Sequence, residues 1–407
     1  MKVNLSDIEK ARIRLRGIVK ETSIDKSMSA SKLLGAEVFL KMENEQLTGS
    51  FKIRGALSKI SSLSLEERTR GVVTSSAGNH AQGVAYSATK MGVSAKIVMP
   101  ETAPLIKIDA TKGYGAEVVL HGNIYDEAFE HAKTIELQEN RIFVHPYQDE
   151  QVIAGQGTIG LELFEKLPDL DSIVIPVGGG GLISGVAIAL KSLKPSLKVF
   201  GVQSDLASSM VDLFYGKSLN NNSLNSQVRR RVTIADGIAV KKPSEIMYQS
   251  FLKTWVDDMV TVTDEEIAEA IFFLIERAKS VVEGSGAVSL AAAMAGKIPL
   301  GNKTCFILSG GNIDLNLIGK VIDLGLIKKG RLTELSVIVP DIPGLLSQMT
   351  ELIAKEKANI LQVHHDRAER GLNLRETRID FLIETTSHDH ADRVKSTLQS
   401  IEGIKLL

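Results

Sequence analysis

A lysine among small and apolar residues, Gly49-Ser50-Phe51-Lys52-Ile53-Arg54-Gly55-Ala56, is the first segment equipped for chemistry. Apolar neighbours disfavour the ammonium and pull its pKa below the usual value of about 10.4, which frees the amine as nucleophile or base. Schiff-base chemistry with a carbonyl compound needs such an amine. Taken alone, the segment more often marks a solvated lysine opening a helix. Three further segments shift that balance.

The run Ser75-Ser76-Ala77-Gly78-Asn79-His80-Ala81-Gln82-Gly83 follows a strand-like Gly71-Val72-Val73-Thr74 and precedes a helical stretch from Val84. Small residues at a helix start offer main-chain N–H groups to an anion, and a substrate carboxylate would suit them. A polar turn with an Asn-His cap is the plainer alternative. The buried strand Ile173-Val174-Ile175-Pro176-Val177 runs into four consecutive glycines, Gly178 to Gly181, then Leu182 and a helix. Successive glycine N–H donors fit a phosphate dianion. The loop has no lysine, so it is not a Walker loop. A dinucleotide fingerprint fails too: from Gly178 its third glycine falls on Ile183, and from Gly180 its second falls on Leu182. Asp205 lies near the distance at which that fingerprint wants an acid, which leaves a dehydrogenase a small weight. Lastly, Thr304-Cys305-Phe306-Ile307-Leu308 opens into Ser309-Gly310-Gly311-Asn312. Ser309 then stands at a strand's carboxyl end, where open α/β sheets hold ligands.

A lysine, a carboxylate-type loop, a phosphate loop and a strand-end serine together point to pyridoxal phosphate. In the order and spacing of these four motifs, residues 1 to about 325 resemble the threonine/serine dehydratases of the fold type II pyridoxal-phosphate enzymes. The resemblance implies that Lys52 carries the cofactor and that Phe51 packs against its ring. It implies that Asn79 bonds the phenolic oxygen, that Gly178, Gly179, Gly180, Gly181 and Leu182 hold the phosphate, and that Ser309 meets the ring nitrogen. Ser76, Ala77, Gly78 and His80 belong to the loop expected to grip the substrate carboxylate. The implied reaction is α,β-elimination of L-threonine to 2-oxobutanoate and ammonia, with L-serine to pyruvate as a secondary activity. A neutral serine at the ring nitrogen makes a milder electron sink than an aspartate would, which favours elimination. Serine racemases of this fold carry a serine where Ala77 stands, and their divalent-cation ligands are matched here by Gln203 and Ser209. Racemisation is therefore expected to be poor, and no metal is expected, though backbone oxygens could hold a monovalent ion.

The elements that must position these residues alternate. Strand-like Glu37–Lys41, Ala95–Pro100, Ala116–Leu120 and Lys198–Val202 interleave with helical runs, the pattern of parallel α/β sheets. Two lobes are expected within a catalytic domain over 1–325, the smaller spanning about 40–147, with the cofactor between them. Ser6 to Glu9 and Thr263 to Glu266 read as capping boxes, the second opening a helix through Ile275. Asn220 to Ser223 reads as a polar loop, and Arg229 to Arg231 as a solvated or subunit-facing basic patch.

With 48 basic and 49 acidic residues among 407, no charge bias favours nucleic acid or an anionic membrane surface. The uncharged run Ile173 to Leu190 is broken by Pro176 and glycines, so it reads as strand, loop and helix. One cysteine, Cys305, excludes intrachain disulfides, and the N-terminus is no signal peptide; a cytoplasmic enzyme is expected.

Residues 326–333 read as a linker. From 334 to 407 the order is βαββαβ: strands Glu334–Pro340, Ile360–His365, Leu374–Glu384 and Ile404–Leu407, helices Gly344–Lys357 and Ala391–Ile401. This is a ferredoxin-like unit. Asp341-Ile342-Pro343-Gly344-Leu345 resembles the opening of ACT regulatory domains, which bind amino acids between paired copies. The resemblance places Asp341, Gly344, Leu345 and Asn359 at the effector site; a dimerisation module without ligand is the alternative. His388 and His390 read as solvated residues at a helix start. The chain is thus expected to be a threonine dehydratase inhibited by isoleucine, with valine as a possible opposing effector, working as a homodimer or homotetramer. A serine racemase or β-replacement enzyme of the same fold, or a non-catalytic amino-acid sensor, are the competing readings.

Overall fold

The computed structural model describes residues 1–217, 233–367 and 371–407. The Asn220–Ser223 and Arg229–Arg231 readings lie outside the described residues. Two compact units are present, Met1–Asp314 and Leu315–Leu407.

The strands of the first unit are, in chain order, β1 (Ile24–Lys26), β2 (Glu37–Lys41), β3 (Val72–Ser75), β4 (Ala95–Met99), β5 (Glu117–Leu120), β6 (Ile142–Phe143), β7 (Ser172–Pro176), β8 (Lys198–Ser204), β9 (Asp258–Val262) and β10 (Lys303–Ile307). They form two sheets. The larger has the order β1-β2-β10-β7-β8-β9, parallel throughout except for the edge strand β1; the smaller, β5-β4-β3-β6, is wholly parallel. Strands β3, β7 and β8 are buried almost throughout, as expected of parallel strands covered by helices on both faces. The larger sheet's core gathers Ile173, Ile175, Val199, Met259 and Ile307 with the helices Glu150–Lys166 and Gly181–Leu193. The smaller sheet packs Val72, Ile97 and Met99 against Ala81, Val84, Ala85 and Ala88 of the helix Asn79–Lys90.

Helix starts show how local chemistry sets the boundaries. Thr263 and Glu266 form the expected capping box, but the α-helix runs only to Phe273, where a wider π turn, Leu274–Ala278, takes over. At the N-terminus the box uses Asn4 and Asp7, not Ser6 and Glu9, so the helix Leu5–Leu15 starts earlier. Asn is as good an N-cap as Ser, and the helix turns Ile8, Ala11 and Leu15 inward.

The second unit opens with a helix, Leu315–Lys328, where a linker was expected to begin at 326, and continues with β11 (Leu332–Pro340), the helix Leu345–Lys355, β12 (Asn359–Asp366), β13 (Glu376–Glu384), the helix His388–Gln399 and β14 (Lys405–Leu406). The sheet is antiparallel for every described pairing, in the order β12-β13-β11-β14. Alternate residues of β11 and β13, among them Leu335, Val337, Val339, Ile379, Phe381 and Ile383, point to the two helices and form a core with Met349, Ile353, Val394 and Leu398. His390 is buried rather than solvated: Nδ1 accepts from the Thr386 N–H (3.1 Å), and Nε2 lies 2.8 Å from the Glu356 carbonyl.

Candidate active site

Three of the four motifs leave the carboxyl ends of neighbouring parallel strands. The Lys52 segment follows β2, Ser309 follows β10 and the four glycines follow β7. An isolated antiparallel bridge between Ser50 and Gly310 ties the first to the second, and the Phe51 N–H donates to the Ser309 carbonyl at 3.1 Å. The fourth motif leaves β3 of the smaller sheet and reaches this cluster through its side chains. Asn79 Nδ2 donates to Glu283 Oε1 (2.7 Å), and Asn79 Oδ1 accepts from Asn312 Nδ2 (2.7 Å). Lys52, Phe51, Asn79 and Ser309 are thus brought together.

Lys52 is the first residue of the helix Lys52–Ser61, whose start has no side-chain cap. Its amine donates to the Pro146 carbonyl at 3.1 Å and lies 5.2 Å from the centre of the Phe51 ring. Burial lowers its pKa to about 8, against a partial counter-pull from Glu283. The positive end of the helix acts in the same sense as burial. A lysine of this kind supplies free amine near neutral pH.

Two helix N-termini at the site are open to anions. The helix Gly181–Leu193 begins at Gly180 with φ +93° and no side-chain cap, so the N–H groups of Gly181, Leu182 and Ile183 have no intrahelical partner. Only glycine fits here for two reasons: Gly180 is left-handed, and a Cβ on Gly179 would come within 2.3 Å of the Tyr147 ring. The helix Asn79–Lys90 likewise starts at Gly78 without a side-chain cap. Gly78 is open, with nothing within 4 Å of where a Cβ would sit. Ser76 Oγ accepts from the Gly78 N–H (3.2 Å), and Ala77 packs against the smaller core.

His80 departs from expectation. Its imidazole is buried beneath the loop with Nε2 2.9 Å from the Val144 carbonyl, and burial, with Lys52 next to contribute, lowers its pKa to about 3. A neutral ring whose one N–H serves Val144 has no proton for a carboxylate; only the main-chain N–H of His80 remains on the loop.

The residues fit a phosphate-bearing aromatic aldehyde. A desolvated amine, a glycine cradle at a helix N-terminus and a strand-end serine converge. Among the described residues Ser285 Oγ and Ser50 Oγ are buried without a partner, and Ser309 Oγ has only a long 3.4 Å contact to the Ser285 carbonyl. Among the described residues no acid–histidine–cysteine cluster could hold a metal ion. Gln203 Oε1 instead accepts from the N–H groups of Met210 and Val211, both at 2.9 Å.

Glu283 was missed in the sequence. It is 6 % exposed, and burial, with Asp236 next, raises its pKa to about 7. The signal was there: Glu283-Gly284-Ser285-Gly286 is an acid followed by small residues ahead of an apolar helix. A Cβ on Gly284 would lie 2.2 Å from the Ile234 carbonyl oxygen, and one on Gly286 2.6 Å from that of Gly310. These glycines let the backbone pack close behind the carboxyl.

Behind the Lys52 helix lies a buried ionic quartet. Arg54 bonds Glu43 twice at 2.8 Å and Glu162 at 2.5 and 3.0 Å, and Lys41 bonds Glu162 at 2.6 Å. Arg54, Lys41 and Glu43 are at most 1 % exposed. Two cations against two carboxylates leave no net buried charge.

In the second unit, Asp341 and Gly344 stand in the exposed turn after β11 and Leu345 starts the following helix. Asn359 is elsewhere. It pairs with Glu384 at one end of β13, while Pro340, just before Asp341, pairs with Glu376 at the other. The length of β13, roughly 26 Å at the usual rise per residue, separates them within one chain.

The Pyridoxal-phosphate dependent enzyme family matches residues 15–310, and the ACT domain family matches residues 333–403. An L-threonine ammonia-lyase of Thermotoga maritima is 47 % identical over 397 residues, covering 97 % of each chain. Among solved structures, the processed form of threonine deaminase isoform 2 from Solanum lycopersicum superimposes with a TM-score of 0.72 at 37 % identity, covering 79 % of this chain and 87 % of that one. Maize serine racemase gives a TM-score of 0.73 at 33 % identity, covering 81 % and 99 %.

Proposed function

Because the chain belongs to the family of pyridoxal-phosphate dependent enzymes and carries a C-terminal ACT domain, we propose that it is a threonine ammonia-lyase under amino-acid control. The observation that carries this reading is the desolvated Lys52 amine, poised near neutrality where the loops of four strand ends converge. When bound, pyridoxal phosphate supplies an aldehyde for the substrate's amine and a ring that takes up the electron pair left at Cα. The protein does the rest. Lys52 Nζ would anchor the cofactor, and its amine, once free, would be the base for the substrate's Cα proton. The N–H groups from Gly178 to Leu182 would hold the phosphate, and Asn79 would hold the phenolic edge. Phe51 would pack on the ring, and Ser309 would meet the ring nitrogen as a neutral partner. The uncapped helix start around Ser76, Ala77, Gly78, Asn79 and His80 holds the substrate carboxylate through main-chain N–H groups. Threonine loses its Cα proton and β-hydroxyl as water, and the released enamine hydrolyses to 2-oxobutanoate and ammonia. Serine, one methyl smaller, gives pyruvate by the same steps.

Ala77 favours this reading over racemisation, since its methyl cannot return a proton to the opposite face of Cα. The effector site takes Asp341, Gly344 and Leu345 from one chain and Asn359 from another, because one chain holds them far apart; this supports an even-numbered homo-oligomer. Isoleucine is the expected inhibitor and valine its antagonist. A single buried cysteine suits the cytoplasm, and no described helix is long and apolar enough to cross a membrane. The test is 2-oxo acid release from L-threonine and L-serine, with and without isoleucine. Turnover of threonine damped by isoleucine supports the reading; cofactor-loaded protein that releases no keto acid overturns it.

A further inference from the structure

The cleft holds one buried ionisable group that the scheme above does not use. Glu283 is the N-cap of the helix Gly284–Met294, yet its carboxyl does not cap that helix. It turns away and accepts from Asn79 Nδ2 at 2.7 Å, with the Asn312 N–H as a second donor. An ionised carboxylate only accepts, so it dictates which way the Asn79 amide faces. The amide oxygen is thereby left for Asn312 Nδ2, which also bonds the Thr48 carbonyl at 2.9 Å. Two of the positions on the Asn79 amide edge are then accounted for: its oxygen serves Asn312 and one hydrogen serves Glu283. The second Nδ2 hydrogen has no partner among the described residues. Gly310 makes room for this, since a Cβ there would lie 2.3 Å from Glu283 Oε1.

We propose that Glu283 is a positioning residue that locks Asn79 with one amide hydrogen presented to the phenolic oxygen of the cofactor, so that the charge on Glu283 is felt at the ring through a single shared amide. The proposal rests on the cofactor reading above. The groups facing Glu283 come from every side: Lys52 from its helix, Asn79 from the helix after β3, Asp236 and its ion-pair partner Lys107 (2.8 Å apart), and the Asn312 backbone. Burial and Asp236 push the carboxyl towards neutrality, while Asn79, Lys107 and Asn312 favour its charge. Its protonation therefore changes within the working pH range and loosens the hold on Asn79.

The test reads the visible absorbance of the resting, cofactor-loaded enzyme against pH, without substrate. The wild type is expected to show a band shift with a midpoint near pH 7, the value to which Glu283 is raised. Glu283→Gln keeps the shape and removes the charge; its band should no longer shift, and kcat should fall with KM little changed. Should Glu283→Gln not fold, Asn79→Ala cuts the same link with Glu283 intact, and the shift should again be lost. A band that shifts in either variant as it does in the wild type overturns the proposal, as does a wild-type band that does not shift. Protein with no visible band at all would instead defeat the cofactor reading, so the two failures are distinct.

Discussion

Replacing Arg54 by methionine isolates what the buried quartet does. Methionine keeps an unbranched apolar stem of similar reach, so the main loss is the guanidinium. With it go two bonds to Glu43 at 2.8 Å, two to Glu162, and those to Thr158 Oγ1 (3.1 Å) and the Lys20 carbonyl (3.3 Å). Two carboxylates then face one ammonium, Lys41, in a site where Glu43 has 0 % exposure. Removing one partner of such a buried cluster costs about 3–5 kcal/mol, because it strands a desolvated charge. At about 2–4 °C per kcal/mol, the melting temperature of the cofactor-free protein should fall by roughly 10 °C. Adding Glu162→Gln restores the charge balance, so the double variant should be less destabilised than the sum of the singles. The sign with pH also follows. Burial alone would raise the Glu43 carboxyl, but Arg54 and Lys41 hold it below its ordinary value. A depressed carboxylate stabilises the fold above its unfolded pKa of about 4.3 and stops doing so as pH falls through its lower folded value. The gap between wild type and Arg54→Met should therefore narrow in acid. Scanning calorimetry at pH 7 and in acid decides it. A loss under about 1 kcal/mol, or strict additivity in the double variant, would refute the reasoning.

Other outcomes follow from single positions. Gly179→Ala drives a methyl within 2.3 Å of the Tyr147 ring, so cofactor affinity, measured by equilibrium dialysis, should fall while the cofactor-free fold persists. The Lys52 amine, lowered to about 8, is mostly protonated at pH 7; the rate at which cofactor-free protein takes up pyridoxal phosphate should rise with pH through about 8, followed by absorbance. Gly344 has φ +89° and nothing within 4 Å of a Cβ, so Gly344→Val strains the turn by about 1–2 kcal/mol without a clash. It should weaken isoleucine inhibition and leave threonine turnover intact.

Much of this architecture was legible because glycine and strand patterns carry it. Glu37–Lys41 was read to the residue, and the strand-end positions of Lys52, Gly178 and Ser309 follow from apolar runs that stop at glycine loops. What escaped reading depends on contacts between segments distant in sequence. The Glu283-Gly284-Ser285-Gly286 pattern marks an acid among small residues, but nothing local reports that it meets Asn79, 204 residues away. The imidazole of His80 turns inward to the carbonyl of Val144, the residue just after β6. The N-terminal box sits at Asn4 and Asp7 rather than Ser6 and Glu9, and since Asn and Ser cap about equally well, local cap preference does not separate the two starts. Asn359 is near Gly344 in sequence and remote from it in the fold, since a parallel return places it at the opposite end of the sheet.

The central claim, that Lys52 is the residue through which this protein holds pyridoxal phosphate and removes the Cα proton, has a direct test. Cofactor-loaded protein is reduced with borohydride, digested and mapped by mass spectrometry, beside Lys52→Ala carried through the same steps. A pyridoxyl-phosphate mass increment is expected on the peptide containing Lys52, with none in the variant and no 2-oxobutanoate from the variant. An increment on another lysine, or threonine turnover surviving in Lys52→Ala, would contradict it.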